Sequence, residues 1–228
     1  MRYQKFEALI SQPRLARYKA ACANDTRKTV RLYRANIRIS QAFLAVLGIF
    51  EIVLRNKIDT HYKAQFPAVV AAGGHEWLFG STLPGGFLTA PNCRNSRQKI
   101  TDTYTSLGVA YTHDKLLSEL SFGFWKFLFS GHQFMAGGNT LLAIFPNLPA
   151  GYNQNDVYQK LNKINAIRNR VAHHEPICFA IGNTIGTNYA RDHFQHVTDV
   201  LQWMNITASE LFYGVDGILK EADYIDNI

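Results

Sequence analysis

The chain has 228 residues, 47% hydrophobic and 18% charged, with a formal net charge of +7. That length suits one domain with a real core, and the composition excludes an intrinsically disordered chain. The basic balance favours a polyanionic partner such as nucleic acid and says nothing about fold.

In chain order, apolar periodicity predicts short helices near residues 3–10 and 13–23. Residues 24–62 then run without a proline. Asn24, Asp25 or Thr26 is placed to cap the start. The segment reads as one long helix, or as two with a bend near Gly48. Its most apolar run, "AFLAVLGIFEIVL" (42–54), contains Glu51. It falls short of the roughly 20 residues of a membrane span, so a buried helix is expected. The N-terminus, "MRYQKFEALI", has no apolar core of signal-peptide length.

Pro67, Gly73, Gly74, Gly80, Pro84, Gly85, Gly86 and Pro91 crowd residues 63–95 and mark a long loop excursion. Helices are predicted near 95–108, 113–129 and 154–174, and a last one over 190–213. A glycine-rich turn (131–138) and a loop (181–188) lie between them. No stretch alternates convincingly with period two, and there is no internal repeat. The expectation is an all-α helical bundle, a single domain over 1–228 with basic N-terminal helices (1–40) packed on it. Cys22, Cys93 and Cys178 are far apart and odd in number. They read as free thiols of a reducing cytoplasm.

The polar cluster of interest is "AIRNRVAHHEPI" (166–177). At 100° per residue, Val157, Leu161, Ile164 and Val171 share an apolar stripe, and Asn162, Asn165, Asn169 and His173 share a polar one. Arg168 sits near the apolar stripe. Its guanidinium must emerge from the core edge and needs an acidic partner or an anion, with Glu51 one candidate. The bland alternative is a solvated face with a structural ion pair. Spacing alone does not discriminate, because Arg55 with His61 and Arg191 with His196 are also five or six residues apart.

Context does discriminate. "IRNRVAHHEPI" resembles the Arg-Asn-x-x-x-His motif of the HEPN superfamily, in particular its Abi-like (abortive-infection) proteins. "FEIVLRNKI" (50–58), with Glu51, Arg55 and Asn56, is similar to that family's early helix. "DKLLSELSFGFWKFLF" (114–129) is similar to its central segment. Order and separation also agree, so the resemblance spans roughly residues 25–210.

The resemblance implies a helical bundle and a metal-independent endoribonuclease, cytoplasmic, acting as a toxin or antiphage effector. It implies no cofactor and no membrane, and leaves room for an antitoxin. Arg168, Asn169 and His173 fall on the motif, with His174 an adjacent alternative and Glu51, Arg55, Asn56 and Glu175 in support. A non-catalytic RNA- or nucleotide-binding protein of the same fold is the rival. The chemistry is coherent: RNA brings its own nucleophile in the ribose 2′-OH. Histidine serves as acid or base near neutrality, and arginine matches phosphate oxygens. Arg168 and His173 are five residues apart, about 140° around an ideal helix. They converge only if the helix distorts before Pro176 or if two copies share one cleft. The family resemblance implies the second, a homodimer.

Arg27, Arg31, Arg34 and Arg38 recur at intervals of four, three and four and share a helix face. With Arg14, Arg17, Lys19 and Lys28 they set eight basic residues against Asp25 between positions 14 and 38. A solvated face is the alternative to an RNA-binding strip. A metal site from His173, His174, Glu175, His193 and His196 is disfavoured, because adjacent helical histidines point about 100° apart. Phe122, Phe124, Trp125, Phe127 and Phe129 read as core or dimer-interface packing rather than a base-stacking platform. The pairs Gly73–Gly74 and Gly85–Gly86 are not phosphate-binding loops.

Overall fold

A computed structural model describes residues 2–67 and 76–228. Gly73 and Gly74, with the middle of the expected 63–95 excursion, lie outside the described residues. The chain is all-α: among the described residues the only β-pairing is an isolated bridge, Phe179 to Ile185.

Three helices open the chain: α1 (Tyr3–Ile10), α2 (Gln12–Ala21) and α3 (Thr26–Gln65). Of the three candidate caps of α3, Asp25 is the one used. Its Oδ1 accepts from the backbone N–H of Arg27 and Lys28 at 2.8 and 3.0 Å. Those bonds, Lys28 foremost, hold its carboxyl below the usual range. The helix continues through Gly48, so the one-helix alternative holds, and its 40 residues span about 60 Å. Leu32, Ala35, Ile39, Phe43, Val46, Phe50, Leu54, Ile58 and Tyr62 recur every three or four residues, and all are fully buried. The 42–54 run belongs to an 18-residue window that is apolar enough, by length and composition, to cross a membrane; 39% of that window is buried in protein.

The chain forms two compact units, and three of their four divisions fall inside helices. Unit one comprises residues 1–49, 166–199 and 207–228. It contains the motif end of α9 (Gln154–Ala172), most of α10 (Asn188–Trp203), α11 (Ala208–Leu211) and α12 (Ile218–Asp226). Its core sets Leu15, Leu32 and Phe43 with Ile167, Val171, Val197 and Phe212, all fully buried. The expected last helix over 190–213 ends at Trp203. There Asn205 adopts φ +59°, and the amides of Asn205 and Ile206 return to the Gln202 and Leu201 carbonyls. That closing pattern suits asparagine and stops the helix. Helix α12 lay beyond the expected elements. Ile218, Ala222 and Ile225 bury its inner face.

Unit two comprises residues 50–165 and 200–206. Outside the shared helices it holds α4 (Trp77–Gly80), α5 (Arg94–Leu107), α6 (His113–Glu119), α7 (Phe122–Phe127) and α8 (Gly131–Ala136). The expected single helix over 113–129 is two. Leu120 is extended, and its carbonyl accepts from the indole of fully buried Trp125 at 3.1 Å, so burying Trp125 requires the break. Phe122, Phe124 and Phe129 are buried with it, as core packing predicts, and Phe127 is the exposed member. Gly85 and Gly86 close a turn: Gly85 has φ +87°, and a Cβ on Gly86 would meet the Ser81 carbonyl at 2.4 Å. A buried polar network joins Asp59 to the Trp77 indole (2.7 Å), His113 Nε2 (2.6 Å) and the Lys63 ammonium (3.0 Å). Burial alone would raise the Asp59 pKa. Hydrogen bonds from His113, Trp77 and Lys63 overcome it and hold the carboxyl down at about 2.

Candidate functional site

The motif lies at the C-terminal end of α9. Val157, Leu161, Ile164, Ile167 and Val171 bury one face, as the periodicity requires. That packing leaves Arg168 half-buried and Asn169, His173, His174 and Glu175 exposed. Arg168, Asn169 and the two histidines all belong to unit one, and Glu51, Arg55 and Asn56 belong to unit two.

The helix stays regular through the motif. The amide of His173 still bonds the Asn169 carbonyl at 2.9 Å. His174 then turns left-handed, with φ +55°. Its amide returns to the Val171 carbonyl at 3.1 Å, and the Glu175 amide to the Arg170 carbonyl at 2.8 Å. This is the Schellman closure, with histidine where glycine is usual. Distortion therefore begins after His173, not before it. Within one chain Arg168 and His173 keep their separation of about 140° around the helix.

The two arginines of the motif differ in employment. Arg170 donates to the Pro176 carbonyl at 3.0 Å, stands over the Tyr189 ring at 4.7 Å, and has its Nε 3.3 Å from a Glu175 carboxylate oxygen. The expected ion pair at the core edge is thus made by Arg170 rather than by Arg168. Glu175 is engaged there, holding the helix end. Among the described residues Arg168 makes one weak side-chain hydrogen bond, Nη1 to the Asn169 side-chain oxygen at 3.5 Å. The His173 imidazole forms no hydrogen bond among the described residues.

The chain leaving the motif is pinned at three points. Arg14 donates to the His174 carbonyl at 2.8 Å, and Arg170 holds Pro176. The amide of Ile177 donates to the side chain of buried Asn36 at 2.8 Å. Asn36 lay outside the expected site residues. Its place on the apolar stripe of α3, between Leu32 and Ile39, was its only signal. Asn36→Ala strands the Ile177 N–H, and we expect a loss of about 1–3 kcal/mol in chemical denaturation. Full stability in that variant would show that water replaces the amide.

The basic N-terminal segment is built into the same unit. Arg17 donates to the Gly182 carbonyl and stacks on the Phe179 ring at 4.2 Å. Of the expected strip, Arg38 is engaged: it pairs with Glu221 of α12 at 2.8 Å and lies 4.8 Å from the Tyr224 ring. Arg31 stands over the same ring at 6.0 Å. Helix α12 was not foreseen from sequence, and neither was this neutralisation. Arg27 and Arg34 instead line an open groove of about 440 Å³ with Tyr3 and Phe6. Two cations beside the partly exposed Tyr3 ring suit a single-stranded nucleic acid, with phosphates on the arginines and a base on Tyr3, while Phe6 is buried beneath.

His193 donates through Nδ1–H to the Tyr189 carbonyl (2.7 Å), and its ring lies tilted against the Tyr189 ring at 4.0 Å. Among the described residues no group of three or more His, Cys, Asp and Glu side chains is placed to hold a metal ion. All three cysteines are free and buried, and burial pushes the Cys178 thiol up to about 12. No family model, no curated protein and no solved structure matches the chain.

Proposed function

We propose that this protein is a metal-independent endoribonuclease of the Abi-like type of the HEPN superfamily. It acts on RNA in the cytoplasm as a toxin or antiphage effector. The contrast between neighbouring arginines carries the reading. Arg170 is consumed in holding the helix end, whereas Arg168 and His173 project from the same turns with no ion pair among the described residues. An unpaired guanidinium at a core edge is suited to an anion, and a phosphodiester is the anion whose cleavage also uses an imidazole.

In this mechanism His173 takes the 2′-OH proton or protonates the leaving 5′-oxygen. The 2′-oxygen attacks phosphorus, a 2′,3′-cyclic phosphate forms, and the 5′-oxygen departs with a proton. Arg168 supports the charge on the phosphorane oxygens. Asn169, one turn from His173, orients the ring or the phosphate. His174 is the weaker candidate for the histidine role, because its backbone is committed to the helix closure. Arg168 and His173 diverge on a regular helix, so the complete site draws them from two copies, in a homodimer.

Incubation of purified protein with labelled RNA in EDTA tests the reading. Cleavage that survives chelation, yields cyclic-phosphate ends and disappears in both His173→Ala and Arg168→Ala is the expected result. The divergence within one chain also favours a second reading, a non-catalytic RNA- or nucleotide-binding protein. RNA retention without cleavage in all three proteins selects it. Expression gives a parallel readout: cells tolerate His173→Ala better than wild type if the toxin reading holds.

The groove of Arg27 and Arg34 is expected to set affinity under either reading. Arg27→Glu with Arg34→Glu weakens RNA binding, and the salt dependence of log K flattens by about 0.7 for each phosphate no longer neutralised. Arg38→Glu, at a position already paired with Glu221, has the smaller effect. Equal effects at the three positions, measured by filter binding across salt concentrations, would discard the groove.

A further inference from the structure

Unit two contains a cavity whose chemistry the ribonuclease mechanism does not use, although Asn56, one of the expected supporting residues, lines it. One face of α3 supplies Val53, Asn56, Lys57 and His61, at helical spacings of three, one and four. Ile144 and Ile206 close it with apolar surface, and the space amounts to about 650 Å³. That is within the usual size of a small-molecule site, as is the mix of an apolar wall with a few polar groups.

Charge narrows the ligand. Among the described residues no acidic side chain lines the cavity. Asp59, two positions from Lys57, is committed to Lys63, Trp77 and His113. Lys57 has no ion pair among the described residues. The His61 ring is held by Thr140, Nε2 to Oγ1 at 2.8 Å, and its burial lowers its pKa, so it stands as a neutral wall near pH 7. One lasting positive charge therefore sits beside Asn56 against an aliphatic surface.

We propose that this cavity binds a small organic anion: a single acidic group on Lys57 and Asn56, with an apolar body against Val53, Ile144 and Ile206. Nothing in this assignment depends on RNA cleavage. The cavity and the motif lie in different units, and either reading can fail alone.

The test uses the full chain and 8-anilinonaphthalene-1-sulfonate, an apolar body with one sulfonate, followed by its fluorescence. One saturable site is expected. Lys57→Glu weakens it by about tenfold or more, the size of one charge-assisted contact, while Lys57→Arg keeps it. Ala143→Trp, a substitution at an exposed rim position, fills the mouth and removes binding. Both positions are on the surface, and unchanged thermal midpoints confirm folded variants. Displacement by hexanoate assigns an organic carboxylate, and displacement by adenosine monophosphate a phosphomonoester; either supports the site. Fluorescence indifferent to Lys57→Glu and Ala143→Trp, or equal affinity for uncharged N-phenyl-1-naphthylamine, overturns it.

Discussion

Alanine at position 173 is expected to lower single-turnover RNA cleavage by about 10²–10⁴-fold, the usual contribution of a positioned acid or base. The fold should be untouched, because the His173 side chain is exposed and bonds nothing among the described residues. RNA affinity should change little, since the loss falls on the reacting state. Arg168→Ala should lose a similar factor, and Arg168→Lys should recover only part, because an ammonium cannot present the guanidinium fork. The informative control is Arg170→Ala. It removes the interactions with Glu175, the Pro176 carbonyl and the Tyr189 ring. Its expected signature is a lower melting temperature with residual cleavage in the folded fraction. A stable Arg170→Ala protein without activity, beside an active Arg168→Ala, would exchange the roles assigned to the two arginines. Mixing the inactive Arg168→Ala and His173→Ala chains examines the shared cleft. A dimer with one intact composite site regains part of the rate, whereas sites built within single chains stay dead.

The largest stability effect is expected at Asp59. Its carboxylate is the common acceptor of the Trp77 indole, His113 and Lys63. Asp59→Ala leaves the buried Trp77 indole and His113 Nε2 unmatched, while Lys63 keeps Glu76 at 3.0 Å; the expected loss is about 3–5 kcal/mol by analogy with other broken buried pairs. The same group predicts an acid transition. The folded carboxyl, at about 2, lies below that of an unfolded aspartate. Its stabilisation is thus complete above about pH 4 and disappears as pH falls toward 2. For a mostly buried group that amounts to about 2 kcal/mol. Urea titrations at pH 6 and pH 3 should separate wild type by about half of that amount, and Asp59→Asn should flatten the difference. A wild type equally stable at both pH values would show that the carboxylate is not preferentially held ionised.

The candidate site was legible in part. The motif resemblance of the 166–177 stretch, not spacing, marked Arg168, Asn169 and His173, and it was readable because a motif within one helix is a local property. Which arginine takes the ion pair was not legible: Arg168 and Arg170 are two positions apart on one helix, and only folded neighbours distinguish them. Asn36 and Asp59 looked ordinary in sequence. Each matters through partners 141 and 54 residues away, Ile177 and His113.

Sequence by itself determined the all-α class, the helical character of 24–62 as one helix or two, and the helical setting of the motif. These follow from local periodicity and capping, which are written in consecutive residues. Only the tertiary structure decided that the 113–129 segment breaks so that the Trp125 indole can reach a carbonyl. It also decided that α12 neutralises Arg38 and that two buried networks hold the helices in place. Those outcomes depend on which groups meet across the fold, and burial makes an unmatched polar group costly enough to dictate the choice.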